Sequence, residues 1–294
     1  MPELPDLTVY REHLEARIAG ETLMGIRIAN PFLLRTVQPG VNDVAGRVVS
    51  GCRRLAKQLV IALEGDYFLV IHLMIAGRLQ WRKAGAPVPR RLGLAAFDFA
   101  SGTLLLTEAG SKRRASLRIV QGPDALAALD PGGLEVLEAE PAALAERLRG
   151  CRHTLKRALT DQRVLAGIGN AYSDEILLEA RLSPFKLAGA LNDDEMARLL
   201  EACRSVLVAW TARLRDEAGD VFPAKVTAFH PQMAVHGRYR QPCSVCGAPV
   251  QRIRYAENEA NYCARCQTGG RLLADRALSR LLKDNWPKRL EDLE

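Results

Sequence analysis

The sequence predicts an α+β protein in which a β-rich first half is followed by helices and a small metal-binding module. Short apolar runs at regular spacing occupy residues 21–120, apolar residues repeat every three or four positions after that, and two CxxC pairs lie near the end. The length of 294 residues suggests about two domains, and the 48% of apolar residues excludes an intrinsically disordered chain.

A helix is predicted at the start of the chain. Pro5 suits its first turn and Gly20 suits its end. The apolar positions that would form its buried stripe are Leu7, Tyr10, Leu14 and Ile18.

Strands are predicted after this helix, because short runs rich in aromatic and β-branched residues alternate with turns of Gly and charged residues. The predicted strands are 59–63, 67–75, 94–100, 103–109 and 116–120. Strands of this length and spacing indicate an antiparallel sandwich or a barrel.

Residues 121–137 are rich in Gly, Pro and Asp and are predicted to form a linker. The helices predicted beyond it are 141–148, 153–160, 169–180 and 193–218. The last is the best defined, because Asn192 supplies an N-cap, acidic residues fill the first turn and Gly219 ends it. A further helical pattern runs through the tail at 272–282.

The charge balance is basic, with 41 Lys and Arg against 34 Asp and Glu and a net charge of +7. This charge suits a polyanionic partner such as nucleic acid, although many basic proteins bind none. The longest apolar stretch, 67–75, is far short of the ~20 residues that span a bilayer, and the first residues lack the features of a signal peptide. We therefore expect a cytoplasmic protein with no membrane partner.

Four of the seven cysteines form two CxxC pairs: Cys243 with Cys246, and Cys263 with Cys266. Two such turns carried on a β-hairpin complete a tetrahedral zinc site with four cysteine ligands. Four thiolates leave no position open for water, so the zinc is expected to be structural. Five arginines surround this module, and they form either a solvated basic surface or a surface that contacts phosphate; we favour the second interpretation. They are Arg238, Arg240, Arg252, Arg254 and Arg265.

Two smaller motifs point to phosphate and to nucleophilic chemistry. Gly167-Ile168-Gly169-Asn170 precedes a predicted helix, where backbone N–H groups suit a phosphate and Asn170 could cap the helix, although the motif also occurs as a simple tight turn. At the start of the chain, removal of Met1 would leave the amine of Pro2 beside the carboxyl of Glu3. An amine with a pKa near 8 is a possible nucleophile, but many chains begin in this way.

Taken together and in this order, the motifs resemble the formamidopyrimidine-DNA glycosylase and endonuclease VIII family. They are PELP at 2–5, the strand domain, DQxxxxGIGNAYSDE at 161–175 and CxxC…CxxCQ at 243–267. The resemblance implies an N-terminal β-sandwich (1–122), a helix–two-turn–helix domain (123–236), a zinc finger (237–270) and a C-terminal helical tail (271–294). It also implies a monomer that acts on damaged double-stranded DNA, is associated with the nucleoid when bound, and needs no cofactor other than zinc.

The resemblance further implies a base-excision-repair glycosylase with abasic-site lyase activity. In this family the processed N-terminal proline, here Pro2, attacks C1′ of the damaged nucleotide and forms a Schiff base, and Glu3 transfers protons. Successive β- and δ-elimination then cut the strand. Lys57 matches the lysine that contacts phosphate beside the lesion, and Asn170 matches the phosphate-binding asparagine. Arg113 matches the residue that replaces the flipped base as a pairing partner.

Several positions depart from the family pattern. The usual HLGMSG reads His72 to Gly77, so that Ile75, with Met74 beside it, stands where the inserting methionine is usual. The aromatic wedge is replaced by Ala115, and Asp6 stands where Glu is usual. Five residues before the third cysteine, Asn258 replaces an arginine that grips phosphate, and an amide offers no charge.

These departures leave three hypotheses. The first is an active glycosylase and lyase for oxidised purines such as 8-oxoguanine and formamidopyrimidines, with oxidised pyrimidines as the alternative substrates. The second is a protein that binds abasic or damaged DNA with little or no base excision. The third is an unrelated zinc-ribbon interaction protein. Pro2, Glu3, Lys57 and Asn170 favour the first hypothesis.

Overall fold

The computed structural model describes residues 1–110, 112–224, 229–255, 258–274, 280–281 and 287–293. Helix α1 spans Leu4–Ile18, with Pro5 in its first turn. The N–H of Glu3 donates to Oδ2 of Asp6 at 2.8 Å, which ties the residue before the helix to its first turn. The predicted apolar stripe of this helix is buried, which confirms the assignment.

Two four-stranded antiparallel sheets follow. One has the order β1-β6-β7-β5 and the other the order β2-β3-β4-β8. Their bounds are β1 Gly25–Ile28, β2 Val49–Leu55, β3 Gln58–Leu63, β4 Tyr67–His72, β5 Gly77–Arg82, β6 Gly93–Asp98, β7 Thr103–Glu108 and β8 Ser116–Gln121, with the short helix α2 at Val41–Val44.

Both sheets and α1 contribute side chains to one hydrophobic core. Ile61 and Ile71 come from one sheet, Phe97 and Leu106 from the other, and Leu14 from α1. Two separate sheets that share a core form a sandwich, so the sandwich prediction is confirmed and the barrel alternative is wrong. The strand predicted at 67–75 ends at His72, because residues 73–76 form a turn.

Helices dominate the chain from residue 123 to residue 218. Their bounds are α3 Pro123–Ala127, α4 Pro141–Arg149, α5 Leu155–Thr160, α6 Asn170–Glu179 and α7 Asp193–Ala218. Asn192 caps α7 as predicted, since its Oδ1 accepts the N–H of Glu195 at 2.9 Å. Helix α6 differs from the expectation, because its cap is Gly169 and Asn170 is its first helical residue.

The metal-binding module follows as the antiparallel hairpin of β9 (Gln251–Tyr255) and β10 (Asn258–Tyr262), and α8 (Ala264–Thr268) comes directly after it. The helix predicted in the tail falls largely outside the described residues, which omit 275–279 and 282–286. Of the tail that is described, residues 290–293 form a 3-10 helix.

The contacts between residues divide the chain into two compact units. Unit 1 comprises Met1–Pro131 and Trp210–Thr227, and unit 2 comprises Gly132–Ala209 and Ala228–Glu294. The end of α7 belongs to unit 1, where Arg215 forms a bidentate ion pair with Glu12, with N–O distances of 2.7 Å. Phe222, which follows the helix, packs in the sandwich core of the same unit. The boundaries predicted at 122, 236 and 270 stay a prediction. Among the described helices, none combines the length and the apolarity that a bilayer crossing requires.

Candidate active site and metal centre

The start of the chain lies in unit 1 beside four charged side chains, with Met1 half-buried and Pro2 buried. Burial is the main cause that lowers the pKa of the Met1 amine, and Arg78 and Lys57 lower it further. The carboxyls of Glu3 and Asp6 act in the opposite direction. Glu3 and Lys57 are only 2% and 5% exposed. The structure therefore brings Glu3 and Lys57 to the chain terminus, where Pro2 is also buried. The roles that the resemblance implies for these three residues stay a prediction.

Asp6 is the second carboxyl group at this site. It is 6% exposed and accepts the N–H of Glu3. Burial raises its pKa to about 7, because the charged form loses its hydration. An acid with this pKa can hold or release a proton near neutral pH.

Lys57 lies in the two-residue turn between β2 and β3, where Leu55 pairs with Gln58. Burial lowers the pKa of His72 to about 4, and the cations of Lys57 and Arg118 contribute. His72 is therefore neutral at physiological pH. Its Nδ1 accepts the N–H of Met74 at 3.0 Å.

Met74 and Ile75 lie in the turn between β4 and β5. The N–H of Gly77 closes this turn on the carbonyl of Leu73 at 2.9 Å. Met74 has a φ of 52°, a left-handed conformation that favours glycine, the residue that the resembled family has at this position. Ile75 is 59% exposed at the tip of the turn.

Arg78 contributes to this site although sequence reasoning does not single it out. Its Nη1 donates to the carbonyls of Ile75 at 3.1 Å and Gly77 at 2.7 Å, and its charge lowers the pKa of the chain-terminal amine. Arg78 thus connects the exposed turn to the chain terminus. The polar alternation of β5 is a signal that Arg78 faces away from the core, but only the fold shows what it meets.

Arg113 is exposed, and its Nη2 donates to the carbonyl of Arg91. The adjoining backbone is fixed by Glu108, which is 2% exposed and accepts the N–H groups of Arg114 at 3.0 Å and Ala115 at 3.1 Å. The side chain of Ala115 is 3% exposed and packs in the sandwich core. The described structure therefore presents no wedge at position 115.

In unit 2, Gln162 shapes the turn that precedes α6. Its Oε1 accepts the N–H of Gly167 at 2.9 Å and its Nε2 donates to the carbonyl of Ile168 at 2.8 Å. Gly167 has a φ of 81°, which a side chain would strain. Asn170 follows, half-buried, at the start of the helix.

The four predicted metal ligands converge in unit 2. The Sγ atoms of Cys243, Cys246, Cys263 and Cys266 all lie within 4.8 Å of one another. Sulfurs bound to one tetrahedral zinc are about 3.8 Å apart, so this cluster fits the ion. Gly247, with a φ of 73°, allows the first CxxC turn to close by donating to the carbonyl of Cys243 at 2.9 Å. All four ligands are cysteines, so the zinc is structural.

The arginines around the finger differ in their contacts. Arg238 donates to the carbonyls of Pro231 and Met233. The guanidinium of Arg252 stacks on Tyr239, with its Cζ 4.4 Å from the ring centroid. Arg254 is exposed on β9. Asn258 opens β10 opposite Tyr255, and its side chain lies outside the described part of the chain.

Comparison with known proteins agrees with this architecture. Family models match three segments: the formamidopyrimidine-DNA glycosylase N-terminal domain at 1–113, the corresponding H2TH domain at 130–213, and a zinc finger found in FPG and IleRS at 240–269.

Two curated relatives are named formamidopyrimidine-DNA glycosylase. That of Moorella thermoacetica is 31% identical over 261 residues, covering 86% of this chain and 95% of the relative. That of Symbiobacterium thermophilum is 32% identical over 287 residues, covering 91% and 89%. A solved structure of MutM with DNA containing carbocyclic 8-oxo-G matches with a TM-score of 0.81 and 25% identity, over 91% of this chain and 100% of that one. The chain therefore belongs to the formamidopyrimidine-DNA glycosylase family, and it is a DNA glycosylase of base excision repair that carries a structural zinc finger.

Proposed function

We propose that this glycosylase is bifunctional and that the amine of Pro2, exposed by removal of Met1, is its nucleophile. The observation that carries the proposal is the surroundings of the chain terminus. Pro2, Glu3 and Lys57 are buried there, and the charges of Glu3, Asp6, Arg78 and Lys57 act on the amine of Met1. Removal of Met1 would leave the Pro2 amine beside the same side chains, and burial favours the neutral form of an amine, which is the form that attacks carbon.

The chemistry follows from these groups. The Pro2 nitrogen bonds to C1′ as the base departs with the glycosidic electron pair and a proton, and Glu3 protonates the ring oxygen, so that an open-chain iminium forms. Loss of the C2′ proton expels the 3′ phosphate, and loss of the C4′ proton then expels the 5′ phosphate. Lys57 would hold a phosphate beside the lesion by its charge.

We infer that the lesion is extruded from the duplex, because C1′ is inaccessible in a stacked helix. Ile75, exposed at the tip of its turn, and Met74 beside it are the side chains proposed to fill the vacated space, and Arg113 would pair with the orphaned base. Asn170 and Asn258 are proposed to contact phosphate. Oxidised purines are the favoured substrates, and the DNA in the similar MutM structure carries such a base. Oxidised pyrimidines, or binding of damaged DNA without excision, are the alternatives.

Borohydride trapping tests the nucleophile. Wild-type protein, with removal of Met1 verified by mass spectrometry, is incubated with abasic duplex and reductant, and the adduct is mapped by peptide mass spectrometry. The adduct should lie on Pro2, and Pro2→Gly should lower its rate by about 10²-fold, because the ring no longer fixes the nitrogen.

Lys57→Arg is the matched control, since it keeps the charge and should still be trapped at saturating DNA. An adduct on a lysine would refute the role of Pro2. Absence of any adduct on abasic DNA would refute the lyase and leave the DNA-binding alternative. A panel of lesion duplexes with each opposite base, scored for excision, then distinguishes oxidised purines from oxidised pyrimidines.

A further inference from the structure

The carboxylate of Asp174 is the centre of a buried polar network in unit 2. Its Oδ1 accepts a hydrogen bond from Nζ of Lys156 at 2.6 Å. Its Oδ2 accepts hydrogen bonds from Nδ1 of His236 at 2.8 Å and from Nδ2 of Asn261 at 3.2 Å. All four side chains are at most 3% exposed. One carboxylate thus joins α5, α6, the segment before the first CxxC pair and strand β10.

The network extends to the proposed phosphate-binding turn through Lys156. Its Nζ donates not only to Asp174 but also to the backbone carbonyl of Asn170, at 2.6 Å. The carbonyl of the first residue of α6 is therefore held by a cation whose own position depends on Asp174. A change at this carboxylate would reach Asn170 through a single side chain.

The neighbouring acid fixes the other side of the network. Oε2 of Glu175 accepts the N–H of Ala234 at 2.7 Å, and its Oε1 accepts those of Val235 and His236, each at 3.0 Å. Three backbone amides on one carboxylate leave the segment that carries His236 little freedom. The imidazole also stacks on Phe229 with ring centroids 5.5 Å apart.

Stability alone is a weak reason for this arrangement. Removing a lysine and an aspartate from water is costly, and apolar residues of similar volume often serve stability equally well. Oδ1 of Asn261 is buried and has no hydrogen-bond donor among the described residues, which adds a further cost. A buried network of this kind does, however, select one arrangement of the elements that it joins.

We propose that Asp174 is a positioning residue for DNA binding, which orients Asn170 through Lys156, while His236 and Asn261 hold its own carboxylate in place. The inference rests on the phosphate contact proposed above for Asn170. It extends that proposal by assigning the orientation of the contact to a side chain that never meets DNA.

A double-mutant cycle tests the inference. The full chain and its variants are titrated with a duplex that carries a tetrahydrofuran abasic-site analogue. Asp174→Asn should weaken binding about tenfold, and Asn170→Ala by a similar factor. The double variant should bind no more weakly than Asn170→Ala alone, because Asp174 acts through Asn170. A purely structural role would instead weaken binding again in the Asn170→Ala background.

Asp193→Asn is the matched control, because it removes the same charge from an aspartate whose side chain is 91% exposed in the same unit. Its affinity should equal that of wild type. If Asp174→Asn does not retain zinc, the cycle is run with Lys156→Met, which keeps a long side chain and removes the bond to the carbonyl of Asn170.

The possible failures are distinguishable. Multiplicative losses in the double variant, or wild-type affinity in a folded Asp174→Asn protein, would overturn the positioning role. Wild-type affinity of Asn170→Ala would overturn the proposed phosphate contact and the inference with it. Wild-type protein that binds the tetrahydrofuran duplex but is not trapped by borohydride on a duplex with a true abasic site would refute the lyase alone.

Discussion

Asp6 shows how the burial of a single carboxyl group makes the stability of unit 1 depend on pH. Its folded-state pKa of about 7 lies above the ordinary value of 3.8, so the folded protein binds more protons than the unfolded chain between these pH values. The free energy of unfolding of unit 1 therefore falls as the pH rises through this window. The loss is complete above about pH 7, because the carboxyl is then charged in both states.

Asp6→Asn should remove this pH dependence. At pH 8 we expect the variant to unfold with a free energy a few kcal/mol above that of wild type, and the difference should vanish near pH 4. Chemical denaturation at a series of pH values measures it.

Asp43→Asn is the control for this series, because Asp43 accepts the N–H of Gly40 at 2.7 Å in the same local geometry but is exposed. A constant difference between Asp6→Asn and wild type across the whole pH range would contradict the explanation.

At the scale of elements, the turn between β4 and β5 depends on Gly77. A Cβ on this residue would lie 2.2 Å from the carbonyl oxygen of Leu73 and 2.9 Å from its carbonyl carbon and Cα. These are backbone atoms of the turn itself, so they cannot move aside without displacing Met74 and Ile75.

Gly77→Ala should therefore destabilise unit 1 by about 1–3 kcal/mol and also weaken binding to abasic duplex. Gly25→Ala is the matched control, since Gly25 lies in β1 and a Cβ added there would have nothing within 4 Å of it. Thermal unfolding and DNA titration measure both effects. Equal stability of the two variants would show that the turn tolerates a side chain.

The accuracy of sequence reasoning also varies with the element. The predicted strands include the central strands β3, β4, β6 and β7. Strands that are buried on both faces of a sheet have a nearly continuous apolar sequence, and such a sequence is easily recognised. In the two four-stranded sheets, the strands that the sequence does not predict, β1, β2 and β5, are all at sheet edges, whereas the fourth edge strand, β8, is predicted. Edge strands are half-exposed and carry arginines, so their apolar signal is weak.

The residues of the candidate site also differ in how well the sequence predicts them. The cysteines, Asn170 and the chain terminus are carried by local motifs, which a sequence displays directly. Asp174 contacts residues distant in the chain, and the charge of Arg78 acts on the distant amine of Met1; no local spacing indicates either relation.

At the scale of the whole molecule, the two compact units are not separated simply at the point where the sequence changes from strand patterns to helix patterns. Residues 210–224 follow the helical half of the sequence, yet they complete unit 1. The ring of Phe222 is 5.7 Å from that of Tyr10, centroid to centroid, and is 7% exposed. Unit 1 therefore cannot be complete without a segment that the sequence places after most of unit 2.

This division predicts that the two units respond to different perturbations. Phe222→Ala should destabilise unit 1 by about 3–5 kcal/mol, because it leaves a cavity in the sandwich core, and amide hydrogen exchange should accelerate in residues 1–131. Chelation of zinc should accelerate exchange in the hairpin of β9 and β10, because the ion holds both CxxC turns. Phe32→Ala, at a ring that is 77% exposed in unit 1, is the matched control and should change neither. If Phe222→Ala accelerated exchange mainly in the finger, the assignment of 210–224 to unit 1 would be wrong.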